Sequence, residues 1–359
     1  MRLISSGSLL ILLFTASTAL ADALQPYATV QSISYSQPIA IASMIDKWDS
    51  PFKGGDNALT YNKAELGVSW RGWQLGVLTR YDYLVSFSDQ TAQGYYLAKN
   101  HLPLETGRVY PLNIEVKAQY SRGLRLGFQH QLTSSFNAGL AVSYLQGISL
   151  MEGELNGTAQ VIDEKDYNFQ FDVDYVYSKD VIFEREVQAP QGYGYSTDLK
   201  LEWQPTKRFS GQLTIVDLLG EIQWINAPYT IAAGSSDIKT YDEDGNVHVK
   251  PVGKGLEANK DYIQTLPRKI FAAAQYQWSR ELEMLAEYQD LDIEQFASLG
   301  AGWRLWRHTN LQGLYNITAQ ALTLRLQHKT QLLFEIGSDS WNVDRARYFV
   351  FKLSFNETF

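Results

Sequence analysis

The chain has 359 residues, no cysteine and a formal net charge of −8 at pH 7. The negative charge argues against nucleic acid as a partner, and the lack of cysteine excludes disulfides and thiolate metal sites. Aromatic residues make up 13% and charged residues 19%, yet the mean hydropathy is only −0.24. This composition, without any apolar run of the ~18 residues that a spanning helix needs, is typical of strands with one apolar and one polar face.

The first 21 residues predict a cleaved secretory signal. Arg2 precedes the apolar run at 9–14, and the small residues at 19–21 suit a signal peptidase. We therefore expect cleavage between Ala21 and Asp22. A membrane anchor is the alternative, but the apolar run is far shorter than the ~20 residues of a bilayer span.

The next segment, residues 22–60, does not follow a strand pattern. Its apolar residues cluster without alternating, around Pro38, Pro51, Gly54 and Gly55. Two interpretations stay open, and both suppose a barrel further along the chain. The segment is either a hatch folded into the lumen or a periplasmic lead-in with one short strand.

From residue 61 to residue 359 the chain predicts an all-β fold. Apolar residues alternate with polar ones almost strictly over Trp73–Val85, Leu112–Ser121 and Tyr167–Tyr177, and about ten residues is the length of a tilted membrane strand. Further strands are predicted at 62–70, 124–132, 137–147, 155–163, 193–203, 209–218, 268–278, 281–290, 297–306, 319–328, 331–337 and 347–355, with less regular ones near 25–35 and 310–316. Because bacterial barrels have an even number of strands, we predict a transmembrane antiparallel β-barrel of about 14 strands, with 12 or 16 as alternatives.

The connections between these strands are short on one side and long on the other. Tight turns are predicted at Arg71–Gly72, Arg122–Gly123, 205–208 and 279–281. Long loops are predicted at 86–111, 178–192 and 226–266. This asymmetry is typical of outer-membrane barrels, whereas a soluble β-sandwich, which would also alternate, has shorter strands. We therefore expect a protein surrounded by lipid in the outer membrane of a Gram-negative bacterium.

The polar parity of the strands predicts which side chains face the lumen. Buried charges need partners or water, so the lumen is either a hydrated channel or a cross-braced polar core. The charged candidates for lining it are Glu115, Lys117, Asp172, Asp174, Asp198, Lys200, Glu202, Glu283 and Glu287.

No catalytic, cofactor or metal site is predicted, and we expect that the protein is not an enzyme. The five histidines lack metal-ligand spacing, and no serine elbow motif occurs. Tyr241–Val247 offers oxygen ligands for calcium, but it lacks the glutamate that closes an EF-hand loop. A hairpin turn is the favoured interpretation of that stretch.

Two stretches resemble a known family. Leu266–Gln289, "LPRKIFAAAQYQWSRELEMLAEYQ", looks like the Leu-Pro and strand hairpin of the long-chain fatty-acid transporter (FadL-like) superfamily. Gly211–Trp224 is similar to strands in that superfamily's uncharacterised and conjugation-associated relatives. The resemblance implies about 14 strands and an N-terminal hatch. The Asn-Pro-Ala signature of that hatch is absent from residues 22–60, and no ligand-binding residue carries over.

The last strand predicts how the barrel is assembled. Phe351, Leu353 and Phe355 share one parity with the terminal Phe359, and together they resemble the C-terminal signal that barrel-assembly machinery reads, although Glu357 breaks the apolar parity. We therefore expect that machinery as a partner during biogenesis.

Two functions stay open at this stage. One is a porin-like channel or transporter for a small solute, with an apolar solute among the candidates, and it implies a small-molecule ligand. The alternative is a non-enzymatic component of secretion, surface assembly or conjugation, with the loop at 226–266 as the surface for a protein partner.

Overall fold

The computed structural model describes residues 24–45, 47–164, 166–235, 239–241, 247–249, 255–329 and 331–356. Within them lie two short helices, α1 (Ile41–Ile45) and α2 (Asp89–Lys99). The strands are β1 (Gln25–Ser36), β2 (Asn57–Trp70), β3 (Trp73–Phe87), β4 (Val109–Thr133), β5 (Phe136–Val161), β6 (Tyr167–Tyr177), β7 (Gln191–Trp203), β8 (Phe209–Ser235), β9 (Lys239–Tyr241), β10 (Val247–Val249), β11 (Leu256–Thr265), β12 (Lys269–Gln277), β13 (Leu282–Asp290), β14 (Gln295–Trp306), β15 (Thr309–Asn316), β16 (Ala321–His328), β17 (Leu332–Ser338) and β18 (Tyr348–Phe355). No helix in this part of the chain is long and apolar enough to cross a bilayer.

The described strands close into one antiparallel barrel. Neighbours along the chain pair with one another, and β1 pairs with both β18 and β2, which joins the ends of the sheet. β6 and β7 occupy one position, because both pair with β5 and β8. β11 and β12 likewise share the position next to β8, while β9 and β10 form a separate small hairpin. The ring therefore has 14 positions, which confirms the predicted number.

The strand predicted near 25–35 is present, but it belongs to the barrel wall and not to a hatch or a lead-in. Gln25–Ser36 is a wall strand that pairs along its length with β2 and with β18, so the barrel begins at residue 25 and not at residue 61. Without this strand, β2 and β18 would each leave an unpaired edge. Its alternation was hard to see because serines at 32, 34 and 36 stand among the apolar residues. The expected signal at residues 1–21 lies outside the described residues.

Two identical dipeptides have different structures. Arg71 and Gly72 both have positive φ, 48° and 86°, and form the tight turn between β2 and β3, as predicted. Arg122–Gly123 was predicted to be a turn and lies instead within β4, which runs unbroken from Val109 to Thr133. A Cβ on Gly123 would lie 2.1 Å from the carbonyl oxygen of Tyr144, so this glycine permits a close approach between two strands.

The wall is taller on one side than the predicted strands suggested. Segments predicted as separate strands merge into β4 and β5, of 25 and 26 residues, and the predicted loop at 226–266 contains the end of β8 and all of β11. Bilayer strands need only ~9–11 residues. We call residues 109–120 of β4, 149–161 of β5, β6, 226–235 of β8 and β11 the upper wall.

The two faces of the wall differ as the alternation predicts. In β3, Arg80 and Asp82 are buried on the inner face, whereas Leu75 and Val77 are more than half exposed on the outer face. Exposed tryptophans lie near the short turns, at positions 70, 73, 203, 278, 303 and 306. Phe351, Leu353 and Phe355 lie on the outer face of β18, and Phe359 lies outside the described residues.

Candidate functional site

The lumen is closed by a layer of aromatic side chains. Tyr35 lies edge-on to Phe296, with 5.2 Å between ring centroids, and Phe296 lies 5.5 Å from Tyr348. Tyr61 approaches Phe271, with 6.3 Å between centroids. These rings belong to β1, β14, β18, β2 and β12, so they meet across the interior. Tyr61, Phe296 and Tyr348 are almost fully buried, so these rings fill part of the interior at this level.

Directly against Tyr61 lies a buried group of four charges. Arg80 donates from Nη1 to Asp217 Oδ1 over 2.6 Å and from Nε to Asp82 Oδ2 over 3.0 Å. Lys269 Nζ donates to Asp82 over 3.1 Å and to Asp217 over 3.3 Å, and it lies 5.1 Å from the centre of the Tyr61 ring. β3 supplies Arg80 and Asp82, while β8 and β12 supply the other two. The contacts therefore bridge the lumen.

A second group of charges extends this network. Arg125 pairs with Asp198 and lies 3.6 Å from Glu65, which also pairs with Lys63 over 2.8 Å. The Tyr27 hydroxyl donates to Glu65 over 2.8 Å.

We call the two groups together the ionic layer. Its members are the cations Lys63, Arg80, Arg125 and Lys269 and the anions Glu65, Asp82, Asp198 and Asp217. The layer is therefore electrically neutral, which is the arrangement that makes buried charges tolerable.

The wall is irregular where the ionic layer meets it. Asp217 has φ of 55°, and the pairing of β7 with β8 shifts between Thr197 and Leu199. Side chains replace the missing ladder bonds: the Asp217 amide donates to Asp198 Oδ1 over 3.0 Å, and the Leu219 amide donates to Thr197 Oγ1 over 3.0 Å. On the other side of β8, residues 266–268 interrupt the strand position of β11 and β12.

A polar chamber of about 560 Å³ lies on the side of the ionic layer nearer the short turns. Lys200 pairs with Glu202 over 2.9 Å, and Arg325 pairs with both Glu287 and Glu335 over 2.6 Å. These five side chains are half of the ten charged residues that line the chamber, and four of the others belong to the ionic layer.

The predicted lumen-lining residues separate into three places. Asp198, Lys200, Glu202 and Glu287 border the chamber, where Asp198 also belongs to the ionic layer. Glu115, Lys117 and Asp174 border a recess of about 270 Å³ on the inner face of the upper wall, beside the exposed Asp172.

Glu283 is buried away from both, and it accepts from Gln312 Nε2 over 2.7 Å. No group of three His, Asp or Glu side chains in the described ranges is placed to hold a metal ion.

Apart from Asp198, the residues of the aromatic layer and the ionic layer were not among the predicted site residues. Arg80 and Asp82 have the polar parity of the Trp73–Val85 strand, so the sequence indicated that both side chains face the lumen. Their partners Asp217 and Lys269 lie 137 and 187 positions from Arg80 and Asp82, respectively. Alternation alone does not indicate which inward side chains meet across a barrel.

A family match covers most of this barrel. The family described as "Family of unknown function (DUF5723)" matches residues 53–324, well over half of the chain. The chain belongs to this family. No curated protein sequence matches this DUF5723 member.

Solved structures similar to this DUF5723 member include transporters. The Pseudomonas putida toluene transporter TodX is 10% identical, with 94% of this chain and 90% of that chain covered and a TM-score of 0.44. The Ralstonia pickettii toluene transporter TbuX is 8% identical, with 93% and 89% covered and a TM-score of 0.33. A Pseudomonas aeruginosa FadL homologue is 11% identical, with 93% and 90% covered and a TM-score of 0.29.

Proposed function

We propose that this protein is a gated channel or transporter for a small solute in a bacterial outer membrane. The closed antiparallel barrel and its apolar outer face support the membrane setting, because only helices and closed barrels satisfy every backbone polar group in lipid. Exposed tryptophans near the short turns are where an aromatic girdle would lie at the edge of a bilayer.

The observation that carries the proposal is the neutral ionic layer, which borders the polar chamber and lies against Tyr61 of the aromatic layer. A core that served only for stability would gain little from seven buried charges, because apolar side chains of similar size are often as stabilising. Charged contacts can instead be exchanged for water when the layer opens. Beside Asp217 the strands are joined by side-chain hydrogen bonds in place of a continuous backbone ladder. We therefore propose that this part of the wall moves when the ionic layer opens.

We propose an apolar solute in preference to a charged one. The polar chamber offers a charged solute few groups, because Lys200, Arg325 and their carboxylate partners already pair with one another. A second cavity, described below, has no charged side chain among the described residues that line it.

The gate can be tested by measuring flux through the purified protein in liposomes. The double variant Lys269→Met with Asp217→Asn removes one charge of each sign, so the remaining pair of Arg80 and Asp82 stays neutral. We expect this variant to pass a small apolar dye precursor or a small ion faster than the wild type. A folded double variant whose flux equals that of protein-free liposomes would contradict the gate, and Lys207→Met, in an exposed turn, controls for the loss of a lysine.

The alternative, an accessory role in secretion, surface assembly or conjugation, has one supporting observation. Trp341 is 96% exposed and Val343 is 77% exposed in the connection between β17 and β18. Exposed apolar residues of this kind suit contact with a protein partner. Crosslinking in whole cells tests this role, since a stoichiometric protein partner that depends on Trp341 would favour it.

A further inference from the structure

A further cavity borders the outer face of the barrel wall. It has a volume of about 890 Å³. Its floor includes Tyr83, Val85 and Phe87 of β3, which stand on the opposite parity to the lumenal Arg80 and Asp82. Outward-facing side chains of β1, β2, β4 and β5 continue the floor. Most of the floor is therefore the outer face of the barrel wall, although Tyr35 and Leu59 of the interior also border the cavity.

Two helices and the loop between β1 and β2 form the roof. α1 and α2 both border the cavity, and Trp48 lies edge-on to Tyr95 of α2, with 4.8 Å between centroids. Ser88 caps α2 by accepting from the Thr91 amide over 3.0 Å, and Thr91 Oγ1 donates to the Pro111 carbonyl over 2.9 Å. Hydrogen bonds thus hold the start of the helix to β4, and the apolar space further along the helix is left unfilled.

The lining of the cavity indicates the chemistry of an occupant. Among the described residues no charged side chain borders it, and most of the bordering side chains are aliphatic or aromatic. Its polar members include Ser34, Thr60 and Asn62, which bond to one another, with 2.8 Å from Ser34 to Thr60 and 3.0 Å from Asn62 to Thr60. Sites of roughly 300–1,000 Å³ with apolar walls and a few polar groups are typical of ligand pockets. Native interiors hold few voids larger than a water molecule.

The cavity also has an edge that faces the apolar surface of the barrel. Tyr81 and Tyr95 line it and are 39% and 50% exposed. Tyr81 is followed along the outer face of β3 by Val77 and Leu75, which are exposed apolar residues. Thr79 lies between Tyr81 and Val77 on this face, with the exposed Arg122 of β4 opposite it. A hydrocarbon chain lying on this face would therefore reach the cavity past the Arg122 side chain.

We infer that this cavity binds a single hydrocarbon chain, whose polar end stays beside Ser34, Thr60 and Asn62. The chain belongs either to a lipid of the surrounding leaflet or to a free amphiphile. The inference rests on the proposed function only for the membrane setting, and it does not require passage through the lumen.

The test uses Trp48 as a reporter of occupancy. Bromine quenches tryptophan fluorescence, so purified protein is titrated with a brominated free fatty acid and, separately, with a phospholipid that carries the same brominated chain. The signal of interest is the quenching that Trp48→Phe abolishes. We expect it to saturate, and for a series of shorter chains we expect binding to tighten about fourfold per added methylene until the cavity is full.

Two variants make the test specific to the cavity. Ala98 of α2 borders it, so Ala98→Phe places a ring in the space and should weaken binding on the order of tenfold. Ala301 is an exposed alanine on β14, away from the cavity, so Ala301→Phe should leave binding unchanged.

Saturable, Ala98-sensitive quenching by the fatty acid alone identifies a free amphiphile, and the same result with the phospholipid identifies a membrane lipid. Quenching that neither saturates nor responds to Ala98→Phe with either probe overturns the inference. The flux assay in liposomes measures the gate independently of lipid binding. Failure of the gate can therefore be distinguished from failure of this site.

Discussion

Replacing Lys269 with methionine should destabilise the barrel more than any exposed lysine substitution. The ammonium group is fully buried and lies 3.1 Å from Asp82 and 3.3 Å from Asp217. Each contact corresponds to an attraction of about 5 kcal/mol at the effective dielectric constant of ~20 that suits proteins. Methionine keeps the length of the side chain and removes the charge, so two buried carboxylates are left with Arg80 as their shared cation.

The expected loss is about 3–5 kcal/mol in the free energy of unfolding, as for other buried ion pairs that lose one partner. Urea unfolding in detergent, followed by tryptophan fluorescence, measures it. Lys207→Met, in the exposed turn before β8, should change the free energy by less than about 0.5 kcal/mol.

The double variant with Asp217→Asn tests the reason for the loss. If charge imbalance is the cause, the second substitution restores neutrality, and the two losses should be non-additive by about 2–3 kcal/mol. The reasoning is refuted if Lys269→Met unfolds like Lys207→Met, or if the double variant loses the sum of the two single losses.

Three further predictions concern other parts of the chain. Gly147→Ala should lower the free energy of unfolding by about 1–3 kcal/mol, because its Cβ would lie 2.5 Å from the Trp224 ring. Gly313→Ala is the control: no atom lies within 4 Å of its Cβ, so the free energy of unfolding in the same urea assay should hardly change. Burial raises the pKa of Asp180, but hydrogen bonds from Tyr175 and from backbone amides outweigh it and leave the pKa below its ordinary value. The loop at 178–190 should therefore be stabilised above about pH 4 and released as the pH falls through the lowered pKa. Protease cleavage in that loop that is no faster at pH 3 than at pH 6, after correction for the activity of the protease, would contradict this prediction. Deleting Phe359 should lower the amount of heat-modifiable barrel in membrane fractions, and an unchanged amount would show that the predicted assembly signal does not depend on it.

The residues of the lumen illustrate which contacts the sequence could not predict. The alternation placed Asp198 and Lys200 on the inner face, and the structure finds both beside the chamber. It did not show that Asp198 bonds to Arg125, or that Lys269 fills the space between Asp82 and Asp217. Alternation indicates the face of the wall on which a side chain lies. It does not indicate the position of that side chain along the barrel axis or around the ring.

The sequence by itself determined the class of fold and the apolar outer face of β18, and it favoured 14 strand positions while 12 and 16 stayed open. Side-chain direction alternates with period two along any strand, so each segment carries this information locally. Only the tertiary structure decided that Gln25–Ser36 closes the ring, that Arg122–Gly123 continues a strand, and that Arg80 meets Asp217 across the lumen. Those outcomes depend on which strands become neighbours when the sheet closes, and that is a property of the whole ring.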